Sequence, residues 1–146
     1  MTHQKNFNIL FLCTGNSCRS QMAEALTHKL KGDLFCAFSA GTAPKGIDPN
    51  AIDVLLELGI DISGNISKSV DEVAEIQFDY VVTLCGHANE TCPFFPRGTK
   101  RLHRGFDDPP KLSEGETDKS VILSHYRRIR DEIRSFVENM PGSLEA

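Results

Sequence analysis

An apolar run of strand length, Phe7-Asn8-Ile9-Leu10-Phe11-Leu12, stops at Cys13 and gives way to the small and polar residues Thr14-Gly15-Asn16-Ser17-Cys18. A helical pattern then starts at about Arg19, with Met22, Ala23, Leu26 and Leu30 on one face and Gly32 beyond its end. A strand followed at once by a helix commits the chain to a crossover, and crossovers repeated along a chain build a parallel sheet of right-handed units. The alternation continues. Leu34 to Phe38 reads as a second strand, ended by Gly41 and the turn residues Pro44 and Gly46. Pro49-Asn50 opens a helix carrying Ile52, Leu55, Leu56 and Leu58 and closed by Gly59. Ser69 with Glu72 three residues on suggests a short capped helix. Tyr80 to Leu84 is a third strand, Lys100 to His103 a weak fourth, and Tyr126, Ile129, Ile133, Phe136 and Val137 line a last helix over residues 118–139. The expectation is an α/β fold: a four-stranded parallel sheet flanked by helices, in a single domain spanning residues 1–146.

At 146 residues with 40% apolar and 25% charged side chains, the chain can bury one core, which excludes a disordered protein. A net charge of −4 gives no general attraction to nucleic acid or to an anionic membrane, so any anion site must be local. No apolar run approaches the roughly 20 residues of a membrane helix. The run ending at Leu12 is too short for a secretory core, and a bulky Leu12 before Cys13 argues against a lipoprotein signal. A cytoplasmic location is therefore expected. In that reducing setting Cys13, Cys18, Cys36, Cys85 and Cys92, an odd number, point to catalytic, redox-active or buried thiols rather than to structural disulfides.

Ligands of parallel α/β sheets bind at the carboxyl ends of the strands, and residues 13–20, 85–92 and 106–110 lie there. In the first of these segments, Thr14, Gly15, Asn16, Ser17 and Cys18 can turn successive backbone amides toward one point, with Gly15 and Asn16 suited to left-handed dihedrals. The start of a helix adds its unpaired amides and positive dipole end. Arg19 adds a planar fork of donors suited to a tetrahedral oxyanion. The same charges favour an anionic sulfur at Cys13, and Ser20 can donate its hydroxyl to it. This is the pattern of a nucleophilic thiolate under a bound phosphate-like anion. The competing reading is a tight turn over a merely buried cysteine.

These residues resemble the low-molecular-weight protein tyrosine phosphatase superfamily, and within it the thioredoxin-coupled arsenate reductases. The resemblance extends through Gln21-Met22-Ala23-Glu24, Ser39-Ala40-Gly41, Asp61-Ile62-Ser63, Val81-Val82-Thr83-Leu84-Cys85, Cys92-Pro93 and Gly105-Phe106-Asp107-Asp108-Pro109. It implies a phosphotyrosine phosphatase I-like fold. It also implies that Asp108, rather than Asp107, is the general acid that protonates the departing oxygen. By itself, Asp-Asp-Pro also reads as a solvated turn.

Cys85 and Cys92 admit three readings: inert thiols, a zinc site with His87 and His103 whose spacing fits no common zinc pattern, or a relay in which Cys85 attacks Cys13 and Cys92 then attacks Cys85. The resemblance favours the relay, with thioredoxin as reductant, no metal and no cofactor. The residues from Gly86 to Thr91 are polar and offer few apolar anchors, which suits a segment that must move. Phosphatase members carry tyrosines after the Asp-Pro pair and an aromatic residue in the loop after the second strand. Here Pro110-Lys111 follows, and residues 42–47 hold no aromatic ring, so arsenate, with phosphate or sulfate as analogues, fits better than phosphotyrosine. The alternatives left open are a phosphomonoester phosphatase sharing Cys13, Arg19 and Asp108, and a non-catalytic oxyanion-binding or redox-sensing module. Cys18 and Cys36 are expected to be bystanders, Cys36 in the core. Some reductases of this kind bind potassium through an Asn, a Glu, a Ser and an Asp. Asn16, Glu24 and Ser39 match the first three, but Lys68 takes the fourth place, so a built-in ammonium and no potassium dependence are expected.

Overall fold

Strand β1 (Phe7–Cys13) is apolar on both faces: Ile9, Leu10, Phe11 and Leu12 are wholly buried. Such a strand belongs in the middle of a parallel sheet whose two faces are both covered. A computed structural model describes residues 6–86 and 98–145. In it β1 lies between β2 (Phe35–Gly41) and β3 (Tyr80–Thr83), with β4 (Lys100–His103) outside β3, in the order β2-β1-β3-β4. All three pairings are parallel. The helices are α1 (Arg19–Lys31), α2 (Pro49–Leu56), the four-residue α3 (Pro109–Leu112) and α4 (Lys119–Glu138). The segment opened by Ser69 is a short 3-10 turn, Val70–Val73, and the Glu72 carboxylate accepts the Ser69 N–H at 2.7 Å.

Helix α4 packs against α1, α2 and α3. Its buried stripe is the expected Tyr126, Ile129, Ile133, Phe136 and Val137, joined by Arg130. The Arg130 guanidinium reaches Val54 O at 2.9 Å and Glu57 Oε1 at 2.8 Å, which satisfies a cation taken out of water. Among the described residues no helix is long and apolar enough to cross a membrane.

Two expectations need correction. The second strand runs to Gly41 rather than stopping at Phe38, because Ser39, Ala40 and Gly41 pair in register with Phe11, Leu12 and Cys13. Small residues are required at its end: a Cβ on Gly41 would lie 2.6 Å from Thr14 O and 2.8 Å from Asn16 N. Cys36 is exposed rather than in the core. It points opposite to the buried Phe35 and Ala37 on an edge strand whose outer face is left open at that level.

Candidate active site

Every carbonyl of the segment from Cys13 to Cys18 is drawn away from the space above Cys13. Cys13 O accepts from Thr42 N, Thr14 O from Ala43 N and Gly15 O from Lys45 N at 3.3, 2.8 and 3.1 Å. Asn16 O accepts from Ser67 Oγ at 2.8 Å and Gln21 Nε2 at 3.2 Å. Ser17 O accepts from Asp48 N at 3.0 Å and Cys18 O from Met22 N at 2.9 Å. In a planar peptide the N–H opposes the C=O, so carbonyls held outward turn the following amides inward. Asn16 makes the turn possible with φ of 48°, the one positive-φ residue other than glycine among those described. Gly15 does not share that conformation. Its missing side chain leaves room for the Lys45 stem, since a Cβ there would lie 2.8 Å from Lys45 Cε.

Cys13 is 3% exposed, and its Sγ is 3.0 Å from Ser20 Oγ. Asn16 Nδ2 donates to that hydroxyl at 2.8 Å, which orients the Ser20 hydrogen toward the sulfur. Arg19, first residue of α1, donates from NH1 to Phe106 O at 2.7 Å, and its NH2 is 3.7 Å from Asp108 Oδ2. The neighbouring Asp107 turns the other way and pairs with Arg128 at 3.0 Å. Cys13, Thr14, Gly15, Ser17, Cys18, Arg19, Lys45, Asp108 and Pro110 together line a cleft of about 230 Å³. Such a cleft can hold a small tetrahedral oxyanion with its central atom in front of a sulfur and an oxygen beside a carboxyl group.

Cys85 lies at the same mouth. Leu12 is level with Thr83 in the sheet, Leu84 N donates to Leu12 O at 2.8 Å, and Thr14 Oγ1 is 3.3 Å from Cys85 Sγ. Cys92, and His87 of the zinc alternative, fall outside the described residues. Cys18 is different in kind. Its burial, with Asp48 and Cys13 nearby, pushes its thiol well above the ordinary range, so it stays protonated and inert.

With this geometry in hand, the profile of the low molecular weight phosphotyrosine protein phosphatases matches residues 8–146. The chain belongs to that family. Its relatives include the arsenate reductase of Halalkalibacterium halodurans, 48% identical over 125 residues covering 86% of this chain and 88% of the relative. The arsenate reductase of Bacillus subtilis is 46% identical over 129 residues, or 88% and 91% of the two chains. Among solved structures, an arsenate reductase in its oxidized state superposes with a TM-score of 0.76 at 28% identity, covering 94% of this chain and 98% of that one. A thioredoxin-dependent arsenate reductase from Corynebacterium glutamicum gives 0.68 at 30% identity, covering 97% of this chain and 65% of that one.

As a member of the phosphatase family, the chain builds its cleft with three groups that sequence reasoning passed over. Lys45 enters from the loop after β2, where a lysine among turn residues gives no signal. Asp48 caps α2 through Asn50 N at 2.9 Å, holds Ser17 O through its own N–H, and accepts the Tyr126 hydroxyl at 2.6 Å. Burial and that hydrogen bond push the Tyr126 phenol far up, so it remains a donor. Ser67 ties Gly46 N (2.9 Å) to Asn16 O. Lys68 lies where the sequence placed it: its N–H donates to Asn16 Oδ1 at 2.8 Å, and its Nζ is 3.9 Å from Glu24 Oε1, which also accepts from Ser39 Oγ.

Proposed function

We propose that this chain reduces arsenate to arsenite through Cys13, Cys85 and Cys92, with thioredoxin restoring the thiols. The observation that carries the reading is the approach of a second cysteine to the cradle: Cys85 Sγ touches the side chain of the residue next to Cys13. A phosphomonoesterase needs only Cys13, Arg19 and Asp108. A sulfur at the adjacent strand end adds a reducing equivalent. The names of the relatives support the same chemistry, and a structural neighbour described as an arsenate reductase in the phosphate binding state supports phosphate as an analogue.

Arsenate binds to the inward amides and Arg19. The Cys13 thiolate attacks arsenic; a sulfur–arsenic bond forms as an arsenic–oxygen bond breaks. Asp108 gives its proton to the departing oxygen, which leaves as water. The Cys85 thiolate then attacks Cys13 Sγ. A disulfide forms, the electron pair of the sulfur–arsenic bond stays on arsenic, and arsenite leaves with As(V) reduced to As(III). Cys13 follows Leu12 and Cys85 lies two residues beyond Thr83, the sheet partner of Leu12, so the relay requires the two Cα atoms to come within the roughly 4.4–6.8 Å that a disulfide spans. Cys92 attacks Cys85, frees Cys13 as thiolate and leaves a Cys85–Cys92 disulfide for the thioredoxin dithiol to reduce; its role rests on the sequence resemblance.

The test is arsenate-dependent NADPH oxidation with thioredoxin and thioredoxin reductase, set against glutaredoxin with glutathione. The thioredoxin system should support turnover, Cys13→Ser should abolish it, and Cys85→Ser or Cys92→Ser should stop multiple turnover while leaving weak p-nitrophenyl phosphate hydrolysis. If the wild type reduces no arsenate and Cys85→Ser hydrolyses the phosphate ester at full wild-type efficiency, the phosphatase alternative replaces this reading.

A further inference from the structure

The cleft residues carry too little positive charge for a doubly charged ligand if Arg19 is the only cation counted. Arg19 is also partly committed, through NH1 to Phe106 O and through NH2 near Asp108. With Cys13 as thiolate, Arg19 alone leaves the cleft no better than neutral before any anion arrives, and Asp108 adds a negative charge whenever it has given up its proton. The other cation lining it is Lys45.

Three observations set this lysine apart from a solvated surface residue. Its backbone is fixed to the cradle, since Lys45 N donates to Gly15 O at 3.1 Å and the next amide, Gly46 N, donates to Ser67 Oγ at 2.9 Å. Its stem lies across Gly15: a Cβ on that glycine would meet Lys45 Cε, Cγ and Cδ at 2.8, 3.0 and 3.1 Å. Its ammonium makes no ion pair among the described residues, whereas the cleft's other cation has partners. A lysine stem laid along apolar backbone with an uncommitted head at the mouth of an anion cleft is a poised counter-charge.

We infer that Lys45 is a specificity-determining residue that makes the cleft select dianionic tetrahedral oxyanions over monoanions, by supplying the positive charge that Arg19 alone does not. This deepens the proposed function, and it rests on that reading only for the identity of the substrate. A point charge added at the rim acts on bound anion and incoming anion alike, so its loss raises KM more than it lowers kcat.

The experiment titrates inorganic phosphate calorimetrically into the reduced wild type, Lys45→Met and Lys45→Arg, at pH values below and above the second ionisation of phosphate, and measures arsenate turnover for each. Methionine keeps the stem over Gly15 and removes only the charge. Lys45→Met should weaken dianion binding roughly tenfold at low salt, with a smaller loss for the monoanion and a smaller difference at high salt. Lys45→Arg should restore most of the affinity, and the arsenate KM of Lys45→Met should rise by a similar factor. Equal phosphate affinity in the wild type and Lys45→Met, equal losses for both charge states, or a fall in kcat at unchanged affinity would each overturn the inference. If the wild type binds phosphate with this Lys45 dependence yet reduces no arsenate, the inference stands and the proposed function falls.

Discussion

At the floor of the cleft Asn16, Ser20 and Gln21 have no exposed surface, and each side chain is hydrogen-bonded to another floor group. At the rim, the Asp108 side chain keeps 40% of its surface in water, its nearest described partner is Arg19 at 3.7 Å, and Lys45 is exposed. The two regions face different demands. The floor must keep an array of amides aimed at one point while an anion comes and goes, so it is built from buried donors and acceptors that have no low-cost alternative geometry. Under the proposed function the rim exchanges a proton and admits ligand, which suits its wet and loosely held side chains.

The comparison breaks most readily at Asn16. Its Nδ2 serves Ser20, its Oδ1 accepts from both Lys68 N (2.8 Å) and Gln21 Nε2 (3.0 Å), and its backbone holds φ of 48°. Asn16→Ala strands those partners and puts a Cβ residue without a compensating hydrogen bond in left-handed space. Urea unfolding should show a loss of about 2–4 kcal/mol. Turnover should fall at least about a hundredfold through misplaced amides. A stability loss under about 1 kcal/mol would mean that the floor owes its shape to packing alone.

At the rim the same size of kinetic effect should come with no structural cost. Asp108→Asn removes the proposed proton donor and should slow arsenate turnover by about 10²–10³. Its unfolding free energy should stay within about 0.5 kcal/mol of wild type, since an exposed side chain 3.7 Å from its partner contributes little. Destabilisation comparable to that of Asn16→Ala would erase the distinction between the regions.

Much of the floor was legible in the sequence because its requirements are local. A strand end, five small or polar residues, an arginine and a serine leave few foldings, and Cys13, Arg19 and Ser20 fall together as the spacing demands. Asp108 and Cys85 were legible through resemblance and through the rule that sites gather at strand ends. What the sequence hid is tertiary. The contact of residues 42–45 with 13–15 exists because β2 continues to Gly41 and carries the chain onto the loop carbonyls, and Ser39-Ala40-Gly41 looks like a turn until close approach gives those small residues a purpose. Lys45 and the Asp48–Tyr126 hydrogen bond follow from that approach and leave no periodic trace. Cys36 was misread because alternation shows which residues share a face but not whether an edge strand's outer face is covered.

Behind the floor, α2 and α4 are joined by Glu57, which Arg127 grips through Nε at 3.0 Å and NH2 at 2.8 Å, with Arg130 NH1 at 2.8 Å. The hydrogen bond from Arg127 is the main cause holding the Glu57 carboxyl below its ordinary 4.5, with Arg130 adding to it. A carboxylate depressed in the folded state contributes stability that is present above its unfolded value and is lost as pH falls through the folded one. Glu57→Gln should therefore cost stability at neutral pH, about 0.5 kcal/mol once solvent screening at a side chain 37% exposed is allowed for, and the difference should begin to shrink near pH 4.5 and vanish only once pH has fallen through the lower folded-state value. Because α2 is capped by Asp48, which holds Ser17 O, a larger loss accompanied by weaker phosphate binding would extend the rigid floor back to this clamp.

The smallest effect expected is none, and it separates the two lysines. Lys68 Nζ lies 3.9 Å from Glu24 Oε1 with its side chain 26% exposed, beside the hydrogen bond from Ser39 Oγ to that same carboxylate. An ammonium in that position already supplies one positive charge to Glu24, and a second cation would have to enter against it. Replacing sodium by potassium at equal ionic strength should leave thermal midpoint and arsenate turnover unchanged, while raising total ionic strength should weaken anion binding through the exposed Lys45. A gain specific to potassium in either quantity would mean that the ammonium yields its place, and that Lys68 belongs with the adjustable rim rather than with the fixed floor.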